Sequence, residues 1–95
     1  MRVWMTPAYV RWIDSLADAS ARARIQLRVD RLVHGHPGTH RRLDEGVSEL
    51  KIDVGPGYRV YYTMRSGELV ILLAGGDKST QRRDIRRAVE LARSL

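Results

Sequence analysis

The chain has 95 residues, with 17 lysines and arginines against 11 aspartates and glutamates, and no cysteine. A chain of this length forms one domain, residues 1–95, and buries only about 60–65% of the surface that its unfolded form exposes. The absence of cysteine excludes disulfides and thiolate metal sites. The net charge of +6 favours a polyanionic partner such as nucleic acid, the ribosome or an acidic protein.

No segment predicts an export signal or a membrane span. The opening residues, MRVWMTPAYVRW, carry charge and proline where a secretory signal needs an apolar run. No apolar run approaches the roughly 18 residues of a membrane helix. We therefore expect a cytoplasmic protein with no membrane partner.

The first part of the chain predicts one strand and two helices. Residues 1–5 form a short strand, and Thr6 then caps a helix that has Pro7 in its first turn. A second helix follows from about residue 20 to residue 34, where the apolar residues have helical spacing. The linker between the two helices is short, which predicts a helix hairpin packed on a sheet.

The second part predicts strands and a final helix. A short segment around Leu43 precedes strands over residues 47–54, 58–64 and 68–74, which are joined by tight turns. The last of these strands is apolar throughout, as is typical of a central strand covered on both faces. A helix over residues 79–93 completes the order β-α-α-β-β-β-β-α. This is an α+β domain with a two-helix hairpin on a mostly antiparallel sheet.

The strands over residues 47–54 and 58–64 form a hairpin that is predicted to place polar and charged side chains on one face. A three-residue turn would place Val54 opposite Tyr58 and Lys51 opposite Tyr61. A shift of two residues would change these partners but keep the faces. The face turned away from the helix hairpin is therefore predicted to carry four polar side chains: Glu49, Lys51, Arg59 and Tyr61.

A solvated face of alternating charges is the simpler interpretation of these side chains. Two features favour a binding face. Arg59 lies on an inner strand, next to the apolar strand over residues 68–74. Val70 and Leu72 of that strand are expected on the same face, which predicts that a partner covers part of it.

The segment Gly75-Gly76-Asp77-Lys78-Ser79-Thr80-Gln81 is predicted to leave the buried strand and enter the last helix. Free backbone N–H groups beside Lys78 would make a phosphate site. A capped turn is the simpler interpretation of the same residues. The glycine spacing of a nucleotide-binding P-loop is absent, so no nucleotide cofactor is implied.

The last helix is amphipathic. Its apolar side is predicted to comprise Ile85, Ala88, Val89, Ala92 and Leu95. The opposite side carries a basic stripe: Arg82, Arg83, Arg86 and Arg87. This stripe would bind RNA phosphates, together with Arg65 on the strand face that also carries Arg59, or would simply keep the domain soluble.

The histidines do not predict a metal site. His34, His36 and His40 lie around glycine and proline, without a nearby cysteine or a second cluster of ligands. The remaining residues suggest neither a Ser-His-Asp triad nor a catalytic carboxylate pair. We expect no metal and no cofactor.

Three segments resemble the RelE/ParE toxin superfamily: GVSELKI (46–52), GPGYRVYY (55–62) and LLAGGDKSTQ (72–81). More narrowly, they are similar to its HigB-like "addiction module killer" subgroup, and the resemblance covers nearly the whole chain. It implies a two-helix layer on a curved antiparallel sheet. It also implies the toxin of a type II toxin–antitoxin system, neutralised by an antitoxin of the helix-turn-helix type.

Many members of that superfamily bind in the ribosome and cleave mRNA without a metal, through attack of an RNA 2′-hydroxyl on the neighbouring phosphate. The resemblance implies that Arg59 stabilises the phosphorane charge, with Lys51 as the basic residue of the preceding strand. It assigns the acid/base position to Lys78, where several active relatives have His or Tyr. Glu49 is an alternative base, and Tyr61 is an alternative proton donor or a platform for base stacking.

Two other functions are compatible with the same residues. One is a toxin that poisons DNA gyrase, as the ParE branch does. The other is a binding module that acts with an antitoxin as a transcriptional co-repressor.

Overall fold

A computed structural model describes residues 1–95 as three helices and a five-stranded mixed sheet. The strands are β1 (Arg2–Met5), β2 (His40–Arg42), β3 (Val47–Ile52), β4 (Tyr58–Arg65) and β5 (Leu69–Asp77). The helices are α1 (Pro7–Ser15), α2 (Ala19–Val33) and α3 (Gln81–Arg93), and a 3-10 turn (Lys78–Thr80) precedes α3. The predicted α+β class and element order are confirmed. None of the helices is both long and apolar enough to span a membrane.

The strand order across the sheet is β1-β5-β4-β3-β2. Strand β1 runs parallel to β5, and the other neighbours are antiparallel. Strand β5 therefore has a partner on each side, as its uniformly apolar sequence predicted.

Helices α1 and α2 cover one face of the sheet. The Thr6 hydroxyl caps α1 by accepting a hydrogen bond from the Tyr9 backbone N–H, and it donates to the Leu73 carbonyl oxygen at 2.6 Å. The Asp18 carboxylate caps α2 in the same way. The core between these helices and the sheet is apolar, and it includes Ile13, Ile25, Leu50, Val60 and Leu72.

Helix α3 covers the opposite face, which corrects one prediction. Val70 and Leu72 pair with Met64 and Tyr62, so they lie on the face of α1 and α2 and not beside Arg59. An irregularity between Tyr61 and Tyr62 shifts the register of β4 and β5 there. The face of Arg59 carries other apolar residues, Ile71 and Leu73 among them, which pack with Ala88 and Ala92 of α3. The chain's own last helix provides this cover, and the prediction of a partner there was wrong.

The turn between β3 and β4 is longer than predicted. Strand β3 ends at Ile52, which pairs with Tyr58, so the connection has five residues and not three. Lys51 consequently lies opposite Arg59, and Glu49 lies opposite Tyr61. The predicted pairs were wrong, but the predicted faces are correct because the error is two residues.

The two glycines before Asp77 belong to β5 and not to a loop, because they pair with Val60 and Arg59. A Cβ atom on Gly75 would lie 2.0 Å from the Trp12 ring, and one on Gly76 would lie 1.9 Å from Asp84 Oδ2. Each glycine thus allows a side chain to approach the strand closely, from opposite faces of the sheet.

The predicted phosphate loop is also corrected. The Ser79 backbone N–H donates to Asp77 Oδ1 at 2.8 Å, so the turn is capped by its own aspartate. The capped-turn interpretation is the one that the structure confirms. At the other end of the chain, Leu95 is exposed and lies beyond α3, outside the predicted apolar side.

Candidate functional site

Three basic residues meet at one end of the sheet. Lys51 of β3 lies directly opposite Arg59 of β4, and Gly76 of β5 lies on the other side of Arg59. Lys78 follows β5 immediately and is exposed. A Cβ atom built on Gly57 would lie 3.5 Å from both Arg59 Nη1 and Lys78 Cβ, which places these two side chains around the same glycine. The structure therefore brings together the three cations that sequence analysis proposed.

The Glu49 carboxylate is completely buried beside this end of the sheet. Its Oε2 accepts a hydrogen bond from Gln81 Nε2 at 2.8 Å. Its Oε1 lies 3.9 Å from Arg59 Nε and 3.4 Å from Arg41 Nη2. Groups from β2, β4 and α3 thus surround one buried negative charge, which is tolerated only because cations and a donor compensate it.

The Arg59 guanidinium has a buried edge and an edge near the surface. Its Nε lies on the Glu49 side, whereas its Nη1 donates to the Tyr58 carbonyl oxygen at 3.0 Å. Nη1 is also 3.7 Å from Oδ1 of Asp53, a carboxylate whose side chain is 78% exposed. An anion arriving from solvent can therefore replace Asp53 at Nη1 while Glu49 continues to hold Nε.

Tyr61 is completely buried under α3, and its hydroxyl has no hydrogen-bond partner. Burial raises the pKa of Tyr61 well above its usual value, and the negative charges of Glu49 and Asp84 raise it further, although Arg59 opposes them. The phenol is therefore protonated at neutral pH. Its predicted role as a stacking platform is wrong, because no face of the ring is accessible to a base.

Two polar residues of α3 that were not predicted from the sequence also line this region. Gln81 binds Glu49, and Asp84 is buried above Gly76, where it accepts a hydrogen bond from the Thr80 hydroxyl at 2.5 Å. Both precede the apolar side of α3 at helical spacing, with Ile85 and Ala88 following. A polar side chain at such an inward position was the available signal.

The predicted RNA-binding arginines occupy two places. Arg82, Arg83, Arg86 and Arg87 are all exposed on α3, as the periodicity predicted. Arg65 is also exposed, but its Nη2 donates to the Ala92 carbonyl oxygen at 3.3 Å near the end of α3. It is six residues from Arg59 along β4, or about 20 Å. Arg65 therefore lies outside the cluster around Arg59.

The histidines take part in local contacts only. His34 Nδ1 lies 2.8 Å from the Asp30 carbonyl oxygen, and His40 Nδ1 lies 2.7 Å from the Gly38 carbonyl oxygen. No three His, Asp or Glu side chains come together in a group that could hold a metal ion.

Residues 11–95 match the family described as Phage derived protein Gp49-like, and the chain belongs to that family. The family comprises toxins associated with toxin–antitoxin systems. The chain is also 43% identical to a Haemophilus influenzae protein of unassigned function, over 100% of this chain and 96% of that relative. The predicted relationship to such toxins is confirmed at this level, whereas the HigB-like subgroup stays a prediction.

Proposed function

We propose that this chain is the toxin of a type II toxin–antitoxin system and that it cleaves ribosome-bound mRNA without a metal or cofactor. The observation that supports this most strongly is the placement of Arg59. Its Nε lies 3.9 Å from Glu49 Oε1 and its Nη1 lies 3.7 Å from the exposed Asp53 carboxylate, while Arg59 and Lys78 flank the same glycine, Gly57. Family membership supports the toxin class and an antitoxin partner, which we expect to be of the helix-turn-helix type.

The cluster of cations suits a phosphate whose negative charge increases during reaction. In our proposal, the scissile phosphate replaces Asp53 at Arg59 Nη1, and Lys51 and Lys78 add positive charge around it. A guanidinium that is fixed before the substrate arrives stabilises the transition state without a cost of reorganisation. Glu49 supplies that fixation, because it is buried and holds the inner edge of Arg59.

The proton transfers require groups that reach the RNA. Glu49 has no access to solvent, so we assign it the positioning of Arg59 and not a proton transfer. Asp53 takes the proton of the 2′-hydroxyl, whose oxygen forms a bond to phosphorus. The bond between phosphorus and the 5′-oxygen breaks, and Lys78 protonates that oxygen. The products are a 2′,3′-cyclic phosphate and a 5′-hydroxyl, after which water restores the charges of Asp53 and Lys78.

The variant Lys78→Ala tests this assignment directly. Lys78 is exposed, so its removal leaves the core unchanged. Loss of a general acid is expected to lower mRNA cleavage on purified ribosomes by at least about 100-fold. Growth arrest in expressing cells should fall in parallel, while the melting temperature and antitoxin binding stay unchanged.

Arg24→Ala is the matched control, because Arg24 is an exposed arginine of α2 without an ion pair. It should retain full cleavage. Arg59→Ala is less direct, since it leaves the buried Glu49 charge with only the half-exposed Arg41 as a cationic neighbour and can unfold the chain.

Two outcomes would contradict the nuclease proposal. Growth arrest with intact mRNA and blocked DNA supercoiling would identify a poison of DNA gyrase. Operator binding with the antitoxin, without growth arrest by the free protein, would identify a co-repressor.

A further inference from the structure

A second cationic surface lies in a groove between α1 and α3, with a volume of about 590 Å³. One arginine of α1 and three of α3 line it: Arg11, Arg83, Arg86 and Arg87. The three α3 residues belong to the basic stripe predicted from the sequence, whereas no role was predicted for Arg11. Arg82, the fourth residue of that stripe, does not line the groove.

The charges of the groove are poorly compensated within the chain. Arg11, Arg86 and Arg87 form no ion pair, and Arg83 Nε lies 3.6 Å from Asp84 Oδ1. The other oxygen of Asp84 accepts from the Thr80 hydroxyl. Glu90 is the remaining carboxylate of the lining and forms no ion pair with the arginines of the groove. Four guanidinium groups thus face two carboxylates, so the groove attracts anions.

The lining favours a phosphodiester backbone over an acidic peptide. The apolar part of the groove consists of Ala8 and Ala74, beside Gly75. Protein segments bind mainly by burying large apolar or aromatic side chains, and this groove offers no such contact. Guanidinium groups bind phosphate oxygens in pairs of hydrogen bonds and need no apolar surface.

We propose that the groove holds the backbone of an RNA strand, with Arg11 as a contact on α1. This inference rests on the proposed function, because it adds a second binding site for the same substrate. Arg83 and Arg87 are one helical turn apart, so their Cβ atoms are about 5–6 Å from each other on the α3 wall. Gly75 lines the groove, and the next residue pairs with Arg59. A strand bound at Arg59 can therefore continue past the first turn of α3 into the groove.

Binding of a 2′-O-methyl RNA 12-mer, followed by fluorescence anisotropy at several salt concentrations, tests the groove. This RNA lacks the attacking hydroxyl, so binding is measured without cleavage. Each lost phosphate contact lowers the salt slope for a single strand by about 0.7. We expect Arg11→Ala to lower the slope by that amount and to weaken binding about fivefold at low salt. Arg24→Ala removes an equal charge outside the groove and should leave the slope unchanged.

Two results would overturn the inference. One is an Arg11→Ala slope equal to that of Arg24→Ala, with both variants folded by circular dichroism. The other is a 12-residue polyglutamate peptide that binds more tightly than the RNA and loses affinity in Arg11→Ala, since this would define a peptide site. Cleavage is measured separately. If the slope falls as expected but ribosome-bound mRNA stays intact, the groove is supported and the nuclease proposal fails.

Discussion

Helices cover both faces of the sheet, but the two interfaces differ in chemistry. Against α1 and α2 the sheet presents aliphatic and aromatic residues that form a continuous apolar core. Against α3 it presents small and aliphatic residues near the C-terminal part of the helix, and a buried polar cluster under its first turns. This cluster comprises Glu49, Arg59, Tyr61, Gln81 and Asp84.

The apolar interface with α1 and α2 is explained by its contribution to stability alone, whereas the polar cluster under α3 is not. Burying a carboxylate and a guanidinium is at best neutral compared with burying apolar residues of the same volume. Glu49 Oε1, Arg59 Nε and Tyr61 Oη have no hydrogen-bond partner, which adds a cost of desolvation. We propose that this small domain retains the cluster because it fixes Arg59 for the proposed reaction. Variants that disrupt one interface at a time should therefore differ in their effects on stability and function.

The largest expected effect on stability is that of Glu49→Ala. It leaves Arg59 as a buried charge without its partner, which costs about 3–5 kcal/mol of unfolding free energy. Leu50→Ala on the opposite face creates a cavity and is expected to cost about 2–5 kcal/mol. Urea denaturation followed by circular dichroism measures both.

A double variant separates the cost of an unpaired buried charge from the cost of a cavity. Replacing both charges, as in Glu49→Leu with Arg59→Met, should be less destabilising than Glu49→Ala alone, because no buried charge is left unpaired. Leu50→Ala has no such rescue. A cost for Glu49→Ala below about 1 kcal/mol would show that the cluster is not held as described.

Substitution of either of the two adjacent glycines of β5 is expected to have a smaller effect on stability, and the two variants form a matched pair. Gly75→Ala forces the Trp12 ring away on the α1 side, and Gly76→Ala forces the Asp84 carboxylate away on the α3 side. Each is expected to cost about 1–3 kcal/mol through overpacking. Thermal unfolding measures this cost, and a ribosome cleavage assay measures function.

The two variants should differ in function, because only Gly76→Ala disturbs the first turns of α3 next to Lys78. We expect cleavage to fall more in Gly76→Ala than in Gly75→Ala at temperatures where both are folded, because the added methyl of Gly75→Ala meets Trp12 and not Asp84. Equal loss in the two variants would argue against a functional asymmetry of the faces.

The smallest effects on stability at neutral pH are expected for two buried tyrosines that lie on opposite faces of the sheet. Burial raises the pKa of Tyr9 to about 12 on the α1 side, and the pKa of Tyr61 is also raised on the α3 side. Since the folded state retains these protons after the unfolded state has lost them, the stabilising contribution is complete below about pH 10 and is lost as the pH rises further. Each tyrosine should contribute a decrease of about 1.4 kcal/mol per pH unit above pH 10.

Denaturation of Tyr9→Phe and Tyr61→Phe between pH 8 and about pH 12 measures these contributions. Each variant should show a shallower loss of stability above pH 10 than the unsubstituted chain. An unchanged slope for Tyr61→Phe would mean that the Tyr61 hydroxyl is accessible.

The parts of the fold that depend on local sequence were predictable. Thr6 with Pro7 indicated the start of α1, and the alternation around Lys51 and Arg59 indicated which side chains share a face. The phase of β5 was not predictable, because a strand that is apolar throughout carries no alternation. The placement of α3 depends on contacts that are distant in sequence, such as the bond between Gln81 and Glu49.

The candidate site was predictable only in part. The positions of Arg59, Lys51 and Lys78 near one another followed from strand phase and family resemblance. The burial of Glu49 and Tyr61 did not follow, since it results from α3 closing over that face. The alternation of the strand placed Asp53 on the polar face, but it gave no reason to assign Asp53 a role, because its approach to Arg59 Nη1 at 3.7 Å depends on the conformation of the turn.

Analysis of the RNA ends formed on ribosome-bound mRNA tests the central claim most directly. In the presence of EDTA-treated protein, we expect products with 2′,3′-cyclic phosphate and 5′-hydroxyl ends. A single 2′-deoxy substitution at the cleaved nucleotide should abolish the cut. Cleavage of the deoxy-substituted message at the same position would contradict attack by the 2′-hydroxyl, and with it the role assigned to Arg59, Asp53 and Lys78.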